Sequence, residues 1–313
     1  MGNKVSLFVI VLLLLVIVGG TFYFWRKGAF KNLINGKTSE ETAPQTYVNF
    51  GGDYSFLAPA GYSVDDTTIP GAQLIVAQNE KLQVDSVDQI YSKGAIAIQA
   101  FSPALSDQDS FKNYINNVLK GSIETSLKGK SEVAFGQKDG YTTAIIKTSV
   151  SKKLVRVQFI VNTVKPVIVA SADENSTYKA IVESLDVASK KYAEFANIQN
   201  AVMTYSSLLK NRMPDDIYRL SSTEFKGQSS LDKLKESISQ ASVALDANIS
   251  VSGGVIGDDK FTAPLLFTKP ATKSGEQPKN AVGSLSLQKE DGQWKVGGIT
   301  LPSNDAFGSA TEE

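Results

Sequence analysis

Between Val5 and Trp25 the chain carries no charged side chain, and Leu7 to Val18 is an unbroken apolar run. Coiled as a helix at ~1.5 Å per residue, this stretch reaches about 31 Å, close to the hydrocarbon thickness of a bilayer. Val, Leu, Ile and Phe fill most of it, and each favours insertion by about 0.3–0.6 kcal/mol. Phe22, Tyr23, Phe24 and Trp25, followed by Arg26 and Lys27, have the composition of an interfacial belt. Val5, Leu12, Val18 and Trp25 therefore mark an N-terminal transmembrane helix in contact with membrane lipid, after a stub of residues 1–4. The competing reading is a cleaved secretory signal. Gly19-Gly20 offers small residues for cleavage, but no A-x-A pattern is present and the aromatic belt suits a retained anchor. Lys4 stands on the N-terminal side, and Arg26, Lys27, Lys31 and Lys37 on the other. That count alone would keep the body in the cytoplasm, whereas long domains translocate largely regardless of charge; an extracytoplasmic body is expected.

With 313 residues, the chain has room for about two domains beyond the anchor, each able to bury its own core. It contains no cysteine and no histidine. Disulfides, thiolate chemistry, a Ser-His-Asp triad and a zinc hydrolase site are thereby excluded, while carboxylate, Lys and Tyr chemistry stay open. No cofactor motif is present. Bases and acids balance at 32 each, but five of the bases precede Glu40, the first acid. The body is mildly acidic, which argues against nucleic acid as a partner.

Residues 26–46 read as a linker, punctuated by Gly28, Asn35-Gly36 and Pro44. Residues 47–187 read as a first domain. Strands are expected at 54–57, 74–76 and 96–100, the last alternating Ile96, Ile98 and Ala100 with Ala97 and Gln99. Ser106 and Asp109 resemble a capping box before a helix whose apolar face carries Phe111, Ile115, Val118, Ile123 and Leu127. Asp107 and Asp109 lack the further ligands of a calcium loop. Strands follow at 141–150, 155–161 and 167–172, then a helix with Tyr178, Ile181, Val182 and Leu185. Short connections require antiparallel neighbours.

Residues 190–302 read as a second domain. A long helix carries Phe195, Ile198, Val202, Tyr205 and Leu209. Pro214 opens a short helix, and Ser229 caps a third. Strands are expected at 247–256, 261–269, 281–289 and 293–301, with Asp291-Gly292 as the last hairpin turn and Asp258-Asp259 in another. Residues 303–313 read as a disordered tail.

The run Tyr-Ser-Phe-Leu-Ala-Pro-Ala-Gly-Tyr at 54–62, with the helix at 107–127, the strands at 141–172 and the closing helix, resembles PsbP/Mog1-like domains over about 46–187. That resemblance implies an α/β/α sandwich around an antiparallel sheet, and a role in docking to other proteins rather than catalysis. Helices followed by a curved sheet, closed by Asp291-Gly292-Gln293-Trp294-Lys295-Val296-Gly297-Gly298, are similar to the NTF2-like α+β superfamily over about 190–302. Members of that superfamily include isomerases, ligand binders and assembly modules. Isomerases of that type pair a carboxylate base with a Tyr donor in an apolar cone. Tyr205, Asp215 and Tyr218, with Asp216 and Glu224, are the residues available for such a pair. The plainer account places both tyrosines on helix faces, with the acids favouring a helix start. The expected whole is an α+β protein on a membrane anchor: a non-enzymatic accessory or scaffold module that docks to envelope or other membrane proteins. A small-molecule binder or an isomerase using the second domain's cone is the alternative.

Overall fold

The structure, a computed structural model, describes residues 43–307 apart from 70, 79–89, 92, 102–104, 106, 188–194 and 272–277. The expected membrane anchor lies outside the described residues. Among those described, no helix is long and apolar enough to cross a membrane. The fold is α+β, built on two antiparallel seven-stranded sheets.

One sheet has the order β3-β4-β5-β9-β8-β7-β6. Its strands are β3 (Tyr62–Asp65), β4 (Ala72–Ala77), β5 (Ile96–Ala100), β6 (Lys130–Lys138), β7 (Tyr141–Val150), β8 (Lys153–Val161) and β9 (Val167–Ser171). Alternation along the strands sends neighbouring side chains to opposite faces. Ala144, Ile146 and Ile160 meet Phe111, Ile115 and Ile123 of helix α1 on one face. Val157, Phe159, Val161, Val167 and Val169 meet Tyr178, Ile181 and Leu185 on the other. Helix α1 runs from Gln108–Tyr114 through a π-helical turn at Ile115–Leu119 into Lys120–Leu127. Helix α2 is Ser176–Ser184. The layers therefore stack as α/β/α. Asp107, not Ser106, caps α1, accepting from the Ser110 N–H at 2.7 Å. This helix-cap role accounts for the acidic pair without a metal. Asn175 caps α2 in the same way.

The other sheet follows a helical layer of α3 (Phe195–Lys210), α4 (Pro214–Arg219), α5 (Thr223–Gln228), α6 (Leu231–Gln240) and α7 (Ser242–Leu245). It contains the strands β10 (Asn248–Ser250), β11 (Gly253–Ile256), β12 (Lys260–Lys269), β13 (Lys279–Glu290) and β14 (Gln293–Thr300), the last two joined by a two-residue turn. Phe261, Leu265, Phe267, Leu285, Leu287 and Val296 pack beneath Ile198, Val202, Leu209, Ile217 and Leu234. Ser222 and Ser230, not Ser229, cap α5 and α6. The first half of the expected tail is ordered: Asn304–Phe307 form a 3₁₀ turn, Phe307 is buried, and Asn304 Oδ1 accepts from the Val243 N–H at 3.0 Å. An apolar anchor in a polar tail is enough to hold it.

What the sequence reading does not contain is a strand β1 at Gln45–Asn49, which begins inside the stretch read as linker. Strand β1 pairs with β2 (Tyr54–Ala58) on one side and with β11 on the other. The order β14-β13-β12-β11-β1-β2 therefore carries the C-terminal sheet into the N-terminal domain. Side chains reverse that assignment. Tyr47, Tyr54 and Phe56 are buried in the N-terminal core beside Ile75 and Ile96, and Val255 of β11 packs with them. Ile256, the next residue, faces the C-terminal core instead. One hairpin thus gives its hydrogen bonds to one domain and its side chains to the other.

This junction requires glycine at two places. A Cβ on Gly253 would stand 2.1 Å from the Val48 carbonyl oxygen, and one on Gly254 would stand 2.4 Å from that of Thr262. Gly254→Ala is expected to lose about 2 kcal/mol or more of folding stability by overpacking against main chain. Gly257→Ala, whose nearest neighbour is 3.7 Å away, is expected to stay within about 0.5 kcal/mol of the parent. Denaturant midpoints of the full chain check both.

Candidate interaction site at the domain seam

The turn that joins β1 to β2 projects Phe50 toward the C-terminal domain. Its N–H donates to the Ser252 carbonyl at 2.8 Å. Its ring lies edge-on to Phe195 at 5.4 Å and 5.7 Å from Phe261. Asp53 closes the turn with φ of 58°, a left-handed conformation that Asp tolerates. Around this aromatic contact lies a cleft of ≈ 400 Å³. Gly52 and Asp53 of the turn, Thr163, Val164 and Lys165 between β8 and β9, Tyr141 of β7, and Phe195 and Gln199 of α3 line it. Lys165 donates through Nζ to the Gly51 carbonyl, tying the β8–β9 turn to the hairpin. Val164, at the lip, is 84% exposed. Met203, 64% exposed, continues the line of Phe195 and Gln199 along α3 at four-residue spacing. An aromatic floor with open apolar residues at its margin is a surface that gains by being covered.

Behind the cleft, the hairpin carries a buried polar cluster into the N-terminal core. Tyr47 donates its hydroxyl to Asp66 Oδ2 at 2.7 Å, and Tyr54 donates to Gln73 Oε1. Gln73 Nε2 has no hydrogen-bond partner among the described residues. Burial pushes the Asp66 carboxyl up to about 6; the Tyr47 hydrogen bond opposes that rise and the neighbouring Asp65 adds to it. The Tyr47 and Tyr54 phenols are raised, first by burial and then by the Asp66 charge. Both stay protonated donors at any ordinary pH, so the cluster has one titrating member.

The residues singled out in the second domain are dispersed. Tyr205 is buried, and its hydroxyl donates to the Leu220 carbonyl at 2.9 Å and lies 3.4 Å from that of Trp294. Burial raises its phenol. Asp215 is at the surface with Lys235 at 3.0 Å, Asp216 pairs with Arg219 at 2.8 Å, and Glu224 faces Lys260 at 3.8 Å. Tyr218 is partly buried against the core. Helix side chains pack on this sheet, and among the described residues the Tyr205 hydroxyl bonds main-chain carbonyls rather than a carboxylate. Among the described residues no acidic group of three or more could hold a metal. Phe50, Val164 and Asp66 escaped the sequence reading; an aromatic residue set against Gly51-Gly52 was the one local signal for Phe50.

No family model and no curated protein matches the chain. Among solved structures it is similar to cyanobacterial PsbP from Synechocystis sp. PCC 6803, at 13% identity and a TM-score of 0.34, over 49% of this chain and 98% of that one. It is also similar to the Saccharomyces cerevisiae Ran-binding protein Mog1p, at 11% identity and a TM-score of 0.30, over 49% and 98%. A crystal structure from Bacteroides thetaiotaomicron VPI-5482 aligns over 81% of this chain and 89% of that one, at 10% identity and a TM-score of 0.29. The first two are of the kind that the sequence resemblance of residues 46–187 points to; the NTF2-like resemblance of 190–302 gains no support from these neighbours. At such scores the likenesses carry no functional argument.

The buried carboxyl gives the seam a pH dependence. Folded Asp66 keeps its proton up to about 6, against 3.8 for an ordinary carboxyl. The folded state therefore binds the extra proton between those values. The resulting stabilisation is complete below the lower value and is lost as pH rises through the upper one. Asp66→Asn keeps an acceptor for Tyr47 and removes the charge. It is expected to stabilise the protein by on the order of 2 kcal/mol at pH 8 and by much less at pH 4. Denaturant midpoints of parent and variant at both pH values measure this.

Proposed function

We propose that the chain is a non-enzymatic accessory protein, held in a membrane by residues 5–25 with its body on the extracytoplasmic side, that docks an envelope or other membrane protein at the seam cleft. The observation that carries this reading is Val164, 84% exposed at the lip of a cleft floored by Phe50 and Phe195. Aromatic anchors in a pocket, ringed by residues that exclude water, are where protein partners gain most of their binding energy. The β1–β2 hairpin supports the same reading. Because it belongs to both domains, the walls of the cleft are fixed relative to each other before a partner arrives, which lowers the ordering entropy of binding. The uncharged run and aromatic belt at 5–25 support a tether. In this reading residues 46–187 are a PsbP/Mog1-like unit and 190–302 an NTF2-like unit used for assembly. The helices-first order and the closing hairpin support the second assignment, while the helix side chains packed on its sheet disfavour a ligand cone.

The test uses the full chain in native membranes. Partner capture by cross-linking is compared between the parent and Val164→Asp/Met203→Lys, with thermal melting as the check on folding. Capture is expected to fall about tenfold or more in the variant at unchanged melting. Equal capture would move the site elsewhere, and a parent that captures nothing above background would retire the docking role. Release of the whole chain by alkaline carbonate would retire the tether.

A further inference from the structure

Strand β6, Lys130–Lys138, is nine residues long and forms one edge of the N-terminal sheet. Its pairing with β7 runs from Lys130↔Ser149 to Lys138↔Tyr141 without a register shift. Asp139 (φ 52°) and Gly140 (φ 84°) close the two-residue turn, a type I′ geometry that makes Lys138 and Tyr141 a hydrogen-bonded pair. Even-numbered residues of β6 therefore exchange ladder bonds with β7, and odd-numbered ones turn their N–H and C=O groups away from it. Ser131 obeys this rule, since its N–H donates to Glu124 Oε1 at 2.7 Å. Among the described residues, no hydrogen bond outside the ladder reaches the main chain of Val133, Phe135 or Gln137. The usual edge protections are missing there: no proline, no bulge and no burial, with Ala134, Phe135, Gly136 and Gln137 all exposed. Lys138 gives two of its three Nζ donors to the Val182 and Glu183 carbonyls at 3.1 and 2.8 Å, beside the end of α2, which leaves the third for an acceptor across the edge.

We propose that β6 is a homodimer interface: it pairs antiparallel with β6 of a second copy about a two-fold axis at Phe135, joining two sheets into one. This goes beyond the docking role and stands on the strand's geometry alone. Charge selects the register. Only registers that set odd residues against odd residues place outward groups opposite outward groups. Centred on Ala134, the pairing sets Lys130 against the second copy's Lys138. Centred on Phe135, it sets Glu132 against the second copy's Lys138 at both ends, Val133 against Gln137, and Phe135 against itself. The Glu132–Lys138 positions are then non-hydrogen-bonded pairs, where side chains of facing strands come closest. The paired Phe135 rings join Phe111, whose ring centroid lies 6.4 Å away, and Lys112, whose Nζ lies 6.0 Å from the ring.

Because the chain has no cysteine, single cysteines report the register directly. Facing hydrogen-bonded residues have Cα atoms ~5.5 Å apart, inside the ~4.4–6.8 Å range of a disulfide. In the full-length chain in mild detergent, F135C is expected to oxidise to a disulfide dimer. V133C and Q137C are expected to stay uncross-linked alone and to form a disulfide-linked heterodimer when mixed. Adding E132K to F135C, which sets Lys against Lys138 at both ends, is expected to weaken dimerisation about tenfold with thermal melting unchanged. F135C that remains monomeric, or all three single-cysteine chains cross-linking alike, would overturn the pairing. So would a parent chain that sediments as a monomer while binding an extended peptide along β6.

Discussion

The pairing of β1 with β11 is the contact on which the rest of the molecule depends. Thr46, Tyr47, Val48 and Asn49 register against Ile256, Val255, Gly254 and Gly253. Through this pairing the side-chain row Phe56–Tyr47–Val255 crosses three strands of the C-terminal sheet and sits in the N-terminal core. Each large apolar side chain buried there contributes ~1.5–3 kcal/mol, and all of it is forfeited if the two domains part. A flexible connection between two independent domains would leave such residues exposed; here their burial makes the domain junction part of the core.

That junction also contains the least comfortable chemistry in the protein. Asp66, Tyr47, Tyr54 and Gln73 are polar groups withdrawn from water at the place where the hairpin enters the N-terminal domain. A buried carboxylate is tolerated only with donors in place, and Tyr47 supplies one from a strand whose backbone belongs to the other sheet. The polar contact therefore senses the same alignment that the β1–β11 ladder sets. The seam cleft on the surface and the buried cluster behind it are two consequences of one hairpin. Phe50 points outward to the C-terminal helices, and Tyr47 and Tyr54 point inward.

The two sheets end differently, and the endings matter for association. Strand β2 is an edge strand but is covered, through the Ser55–Asp186 bridge and the Leu57 N–H bond to Ser184 Oγ at 3.1 Å. Among the described residues, strand β6 has a single such cap, at Ser131. Of these two edges, which belong to different sheets, β6 is the one that presents open main-chain hydrogen-bonding groups. Together with the apolar lip at Val164, this gives the body two surfaces of different character, one governed by main-chain pairing and the other by side-chain burial.

Sequence alone determined the features set by local periodicity and turn chemistry. The apolar stripe Phe111–Ile115–Ile123 gave helix α1, the alternation Val155–Val157–Phe159–Val161 gave strand β8, and Asp291-Gly292 gave the last hairpin, because each is specified by neighbours a few residues away. The α+β class with antiparallel sheets followed from strands too closely connected for crossovers. Strands β1, β3 and β6 were not legible; Tyr62–Asp65 is only four residues long and has no fully buried position. Gln45–Asn49 is short, and Lys130–Lys138 is exposed on both faces over much of its length, so neither shows a strong buried periodicity. Long-range contact decided the rest. That Tyr47 would meet Asp66, that Gly253 and Gly254 would be needed for approach to Val48 and Thr262, and that Phe50 and Val164 would share a cleft all require segments far apart in sequence to meet in space. Pairing between β1 and β11 closes a loop of about two hundred residues, and nothing within either strand encodes its partner. Only the packed core, by leaving one energetically acceptable place for Tyr47 and Phe56, makes that choice.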